Sequence, residues 1–316
     1  MKNLTISMRA IASIFCSCSK ESDLIDGANP NGNNEKVEIK LNAGVVTTKA
    51  PIESDASSHP TKDVRLQIVT APDAAEAVWT AITSVASTPT LKTTGSVDFT
   101  GTTSLYYNAD ETNKSHLLAY SPEGDNTTAG SVTWTIDGSK DIIVAQAVSG
   151  SKNTPVGALA FEHLLTQLQI EVKGDAAATQ TFGTTIKSIK VKDALTKPSM
   201  TFTSAKVTTL NWANTTDKAT FDVFSTGTDT PISSAAISSN FTTVGYVMLQ
   251  PAATYTLLVT TDKVTDREVT VTMNSTAIAG SAHKIELTFS ATAIEPAATL
   301  TGWKTDGTNT GTGTID

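Results

Sequence analysis

Hydrophobic and polar residues alternate with a period of two along much of this chain. Val37, Ile39, Leu41 and Ala43 interleave with Glu38, Lys40 and Asn42, and the same rhythm returns at 132–136, 168–172, 221–223, 255–259, 269–273 and 285–289. Successive side chains of a strand point to opposite faces, so each stretch predicts a strand buried on one side. The unbroken run Ile142-Ile143-Val144-Ala145 predicts a more deeply buried strand. Threonine and serine fill the outward positions, where small or β-branched side chains suit a pleated surface. Helical periodicity is nearly absent. Residues 71–86 predict the one short helix, with Asp73 as its cap, although Pro72 and scattered threonines work against it. Many short strands separated by Gly, Asn and Pro turns predict an all-β chain of antiparallel β-sandwiches. The length suits two of ordinary size, divided where Ser151-Lys-Asn-Thr-Pro-Val-Gly157 interrupts the strands, as 37–158 and 159–316. No fixed-period repeat is visible, which excludes a solenoid or propeller.

The stretch before the first strand has a different character. Lys2 and Arg9 precede a short apolar run from Ala10 to Cys16, and small Ser17 stands before Cys18. That order predicts a secretory signal peptide over 1–17, too short to span a bilayer. A cysteine at the cleavage point resembles a bacterial lipoprotein signal, which implies lipid attachment at Cys18. Cys16 is the alternative, but bulky Phe15 precedes it. Residues Ser19-Lys20-Glu21-Ser22-Asp23 resemble the charged tag that directs lipoproteins of the Bacteroidetes to the outer face of the outer membrane. Residues 18–36 then read as a flexible tether rich in Asn and Gly.

Both cysteines lie in this leader, so core burial and not disulfides must hold the mature body together. The chain carries a net charge of −8, and removal of residues 1–17, which hold Lys2 and Arg9 but no acid, takes it to −10. An acidic, sparsely charged body repels phosphates and argues against nucleic acid.

Motifs for catalysis or cofactors are missing. There is no His-Glu-x-x-His, Gly-x-Ser-x-Gly, P-loop or EF-hand spacing, and the four histidines (His59, His116, His163, His283) stand far apart. His163 beside Glu162 reads either as a base with its orienting partner or as the start of a strand at a domain junction. Asp137-Gly-Ser-Lys-Asp141 reads either as a calcium clasp or as a hairpin turn. Gly307–Gly313 carries glycines without a following helix, which makes it no phosphate cradle. Among Trp79, Trp134, Trp212 and Trp303, the alternation of Trp134 with Val132 and Ile136 predicts a core position, whereas Trp212, among polar turn residues, is the candidate ligand contact. The expectation is a chain without catalytic residues, cofactor or metal.

A set of landmarks then resembles the fimbrillin family of the Bacteroidetes, pilus subunits or pilus-like surface lipoproteins. They are the lipoprotein leader, a strand ending Gly44-Val45-Val46-Thr47-Thr48-Lys49-Ala50-Pro51, then Leu117-Leu118-Ala119-Tyr120-Ser121-Pro122 and Asp141-Ile142-Ile143-Val144-Ala145. Leu159-Ala160-Phe161-Glu162-His163-Leu164-Leu165 follows, and late in the chain come Gly280-Ser-Ala-His283-Lys-Ile285-Glu-Leu287-Thr-Phe289, Ala293-Ile294 and Gly302-Trp303. The resemblance implies two transthyretin-like sandwiches in tandem and export to the cell surface as an outer-membrane lipoprotein. It also implies proteolytic removal of the first strand, whose groove then accepts a strand from another fimbrillin subunit. Two departures stand out. Lys49 occupies the position where family members often carry arginine, so maturation between Lys49 and Ala50 would need a trypsin-like enzyme. After Trp303 the only large apolar residue is Ile315, which makes the tail a poor donor strand and points to an anchor, tip or accessory subunit. The alternative is a surface lipoprotein that binds glycan, or another host or bacterial surface ligand, through exposed aromatics.

Overall fold

The computed structural model describes residues 36–45, 60, 62–225, 230–274 and 277–301. Almost all regular structure in them is strand, and the one described α-helix is the single turn Ala178–Phe182. The first large sheet has the order Ala43–Val45, Leu159–His163, Ile143–Ala145, Lys114–Ser121, Val148–Gly150, with Gln67–Ala74 pairing the free side of Lys114–Ser121. The second has the order Thr242–Leu249, Thr166–Gly174, Ala282–Phe289, Ile294–Thr301. The third runs Lys218–Asp222, Thr185–Leu195, Thr254–Thr261, Arg267–Thr272, with Ala235–Ala236 against Thr185–Leu195. Two three-stranded sheets complete the fold. Two pairings are parallel, Ala43–Val45 on Leu159–Phe161 and Thr166–Gly174 on Ala282–Phe289; the other pairings between described strands are antiparallel.

The alternation read from the sequence is the alternation that packs. In Thr166–Gly174, Leu168, Ile170 and Val172 are fully buried while Gln169, Glu171 and Lys173 are half-exposed. Tyr255, Leu257 and Val259 and then Ile285, Leu287 and Phe289 repeat the pattern. Outward lysines of the third sheet pair with carboxylates across strands, Lys187 with Asp262, Lys190 with Asp222 and Lys192 with Glu268. Exposed pairs of this kind contribute little to stability, so apolar burial carries the fold.

The expected helix over 71–86 is absent. Its first residues belong to Gln67–Ala74, which pairs with Lys114–Ser121 through a bulge between Ala71 and Ala74. Pro72 and Asp73 fall in that bulge, where a residue without an N–H costs the ladder nothing.

The described residues from Lys36 to Thr301 form one compact unit. Two apolar clusters lie inside it. The larger joins Val69, Leu118, Tyr120, Trp134 and Val144 to residues from Leu164 through Ala298. Tyr120 meets Trp134 edge-on at 5.6 Å between ring centroids and stacks near Phe202 at 6.2 Å. The smaller cluster gathers Ile39, Leu41, Ala43 and Val45 with Leu66, Ile68, Leu91, Leu117, Phe161 and their neighbours. Leu159–His163 thus completes the first sheet, and the chain enters the second only at Thr166, beyond the break expected at 158/159. Ser131–Thr133 also pairs with Ser199–Thr201 across that break.

One glycine shows how tightly the second sheet is closed. A Cβ on Gly245 would lie 2.2 Å from the carbonyl oxygen of Phe224, a backbone atom that itself accepts a hydrogen bond from the Tyr246 N–H at 2.9 Å. Gly245→Ala should therefore cost about 1–3 kcal/mol or more, read as a lower urea midpoint. A midpoint equal to that of the natural chain would show that the Phe224 segment can move aside.

Candidate functional site

The segment from Lys36 to Val45 is the feature that distinguishes this sandwich from an ordinary one. Its inward side chains Ile39, Leu41, Ala43 and Val45 are 2 %, 4 %, 5 % and 0 % exposed, while Glu38, Lys40 and Asn42 face solvent. The sequence placed Val37 among the buried set; it is instead 42 % exposed at the segment's open end, and Val45 takes the fourth inward place. At that end the Lys36 ammonium lies 5.7 Å from the ring centroid of half-exposed Tyr106.

The segment is bonded along one flank from Val37 to Ala43 and along the other from Asn42 to Val45. On one side the Ile39 N–H donates to Leu105 at 2.8 Å and the Ala43 N–H to Gly95 at 2.8 Å. In return the Tyr107 N–H donates to the Val37 carbonyl and the Val97 N–H to the Leu41 carbonyl. These contacts, with bridges Glu38–Tyr106 and Asn42–Ser96, make an antiparallel flank. On the other side the Leu159 N–H donates to the Asn42 carbonyl at 2.9 Å, and Ala43–Val45 runs parallel to Leu159–Phe161. An open cleft lined by residues such as Lys40, Asn42, Ser96, Asp98 and Thr100 runs beside it. Its three large inward side chains are each worth roughly 1.5–3 kcal/mol of burial. Lifting the segment out would expose an apolar trough with backbone donors on both rims, the arrangement that invites another strand.

The wall of this trough is braced by a buried, hydrogen-bonded couple. Asp141 and His163 are both buried, and Asp141 Oδ2 meets His163 Nδ1. Asp141 Oδ1 accepts from the Ile142 N–H at 2.8 Å, and the Leu164 N–H donates to the Ile142 carbonyl. The couple fixes the end of Leu159–His163 just where the chain leaves the first sheet. Sequence adjacency had offered Glu162 as the partner of His163. Neighbours in a strand face opposite sides, and Glu162 points outward to pair with Lys206. Asp141, 22 residues upstream, reaches His163 because Ile143 pairs with His163 across the sheet.

The remaining candidates fall apart from this site. Cys18, Lys49, Ala50 and Trp303 lie outside the described residues. Trp212 is half-buried and packs against the larger cluster. Trp134 is 2 % exposed and donates its indole N–H to the Pro122 carbonyl at 3.1 Å. Asp137 caps a turn by accepting from the Ser139 N–H and hydroxyl, separate from Asp141. His116 lies between the Ser149 hydroxyl and the Ala74 carbonyl. His283 is buried at the start of its strand with Nε2 unpartnered, and burial holds it below the ordinary histidine pKa of 6.5. Its neutral form is the folded one, so its contribution to stability is present above about pH 6.5 and is lost as pH falls. Among the described residues no group of three or more His, Cys, Asp or Glu is placed to hold a metal.

Comparison with known proteins follows the same lines. No curated protein matches the chain. A proposed cell adhesion protein from Bacteroides uniformis superposes with a TM-score of 0.58 at 15% identity, covering 87% of this chain and 100% of its own. A second proposed cell adhesion protein, from Bacteroides ovatus, gives 0.55 at 16% identity, with 86% and 99% covered. At these identities the likeness is one of fold. The profile of the fimbrillin-like family matches residues 48–303, most of the length, and the chain belongs to that family.

Proposed function

We propose that this chain is a non-enzymatic structural subunit of a cell-surface fimbria, anchored in the outer membrane through lipid on Cys18, and that residues 37–45 are a built-in plug. Cleavage between Lys49 and Ala50 frees the plug together with the lipid-bearing segment before it, so the lipid holds the uncut precursor at the membrane, and a strand from another fimbrillin subunit then fills the trough of the cut body. The observation that carries the reading is the pairing of this segment on both flanks while four of its side chains fill the smaller core. Its Ala43–Val45 end is a strand with partners on both sides, yet the segment sits at the N-terminal margin of the described body. Membership of the fimbrillin-like family supports the structural role, and the cell adhesion proteins of similar fold support a surface location. The weak donor character of the tail beyond Trp303 favours an anchor, tip or accessory position over the repeating stalk.

Limited trypsin digestion of the mature chain, followed by mass spectrometry and size-exclusion chromatography, tests this. The expected product begins at Ala50 and forms oligomers or captures other fimbrillin subunits. Resistance at Lys49, or a cleaved monomer that keeps its plug and stays inert, would count against the reading. Cys18→Ala should leave the protein out of the membrane fraction; continued membrane association would remove the anchor from the proposal.

A further inference from the structure

We propose that the site occupied by residues 37–45 selects its replacement strand by side-chain size in a fixed order: long aliphatic, long aliphatic, alanine-sized, valine-sized, at alternate positions. The inference rests on the plug reading above and names the partner that reading leaves open. The occupant is an extended segment of a different subunit that carries this order.

The argument begins with what the present occupant shows. Ile39, Leu41, Ala43 and Val45 are all at or below 5 % exposure, so each inward position is enclosed by its neighbours. Interiors pack at close to crystal density, and an extra or missing methylene at such a position is felt. The outward residues Glu38, Lys40 and Asn42 are exposed and impose no comparable demand.

Backbone bonding alone cannot fix the register of an incoming strand, because ladder groups repeat every two residues. A slip of one residue turns every apolar side chain outward. A slip of two keeps the apolar face inward and is the dangerous error. The size order removes it: moved by two one way, a leucine arrives where Ala43 sits and an alanine where Val45 sits; moved the other way, a valine arrives where Ala43 sits and an alanine where Leu41 sits. One site is then overpacked while another is left hollow. Ala43 is therefore the register key, set between the Gly95 carbonyl on one flank and Leu159 on the other.

Residues 302–316 hold Trp303 and Ile315 as their large apolar residues, too far apart to supply the order, so this stretch of a second copy would not fill the site and the proposed occupant is a segment of a different subunit.

The test uses the full mature chain with a site for a sequence-specific protease placed within residues 50–58. After cleavage, labelled decapeptides are added and binding is followed by fluorescence anisotropy. One has the sequence of residues 37–46, and its isomer has Leu41 and Ala43 exchanged, with composition and charge unchanged. A third carries Lys40→Ser on the outward face. The isomer should bind at least about tenfold more weakly than the natural peptide, and the Lys40→Ser peptide should bind like it. Equal binding of natural peptide and isomer overturns the size order and leaves strand exchange standing. Weakening by Lys40→Ser as large as that of the isomer overturns it as well. Capture of none of the peptides by a cleaved chain overturns the exchange reading and this inference with it.

Discussion

Leu41→Ala should loosen one segment before it loosens the molecule. Leu41 is 4 % exposed in the smaller cluster, and truncation of such a side chain costs about 2–5 kcal/mol. In the proposed role part of that cost falls on the plug alone, because the plug would leave its trough while the larger cluster, built from Val69 through Ala298, stays closed. Native-state hydrogen exchange separates the two events. The amides of Tyr107, Val97 and Leu159 donate to carbonyls of Val37, Leu41 and Asn42, so they report on the plug directly. Their exchange should quicken by roughly 30-fold or more, the equivalent of about 2 kcal/mol. The amides of Leu168, Ile170 and Val172 in the second sheet should change far less. Equal acceleration at all six would mean that the segment opens only with the whole fold, and the plug would lose its independence.

Removal of one partner of the His163–Asp141 couple should cost more than any surface change. His163→Ala leaves the Asp141 side chain enclosed without the imidazole that meets Oδ2, and a buried polar group left without its partner typically costs about 1–3 kcal/mol or more. Replacing both partners together, as His163→Leu with Asp141→Leu, removes the unpaired polar atom and should recover much of the loss. Urea unfolding of the two single variants, the double variant and the natural chain measures this. Single variants within about 1 kcal/mol of the natural chain would show that the couple does not brace the wall.

The period-two pattern made the fold class legible because burial on a sheet obeys the same arithmetic as the sequence: Leu168–Ile170–Val172 and Ile285–Leu287–Phe289 needed no tertiary information. The pattern failed where pairing decided the outcome. Residues 71–86 predict a short helix capped by Asp73, yet their first residues belong to Gln67–Ala74, held in a ladder by Lys114–Ser121. Leu159–His163, beyond the interruption at 151–157, pairs with Ile143–Ala145 before it, because order along the chain does not say which sheet a strand joins. The first segment was legible as a strand, and its inward set was read one step too early. Val37 obeys the alternation but sits past the last covering neighbour, a limit that only the fold imposes. The Asp141–His163 couple left no local sign, since a contact between residues 22 apart depends on how two strands are set in register.

The plug's position has a consequence for timing. A strand joined to its own trough by a short stretch of chain is an intramolecular ligand, present at an effective concentration near the millimolar range for short flexible linkers. A free strand well below that concentration does not compete, so in the proposed role the uncut protein would accumulate without assembling. A single cut changes the reaction order: the segment, held at the membrane by the proposed lipid on Cys18, becomes a separate molecule, and its return to the released body is bimolecular. In the proposed role, assembly would then be switched by chain connectivity alone, with no change in any contact at the site, and it would run in one direction because the severed peptide bond is not remade.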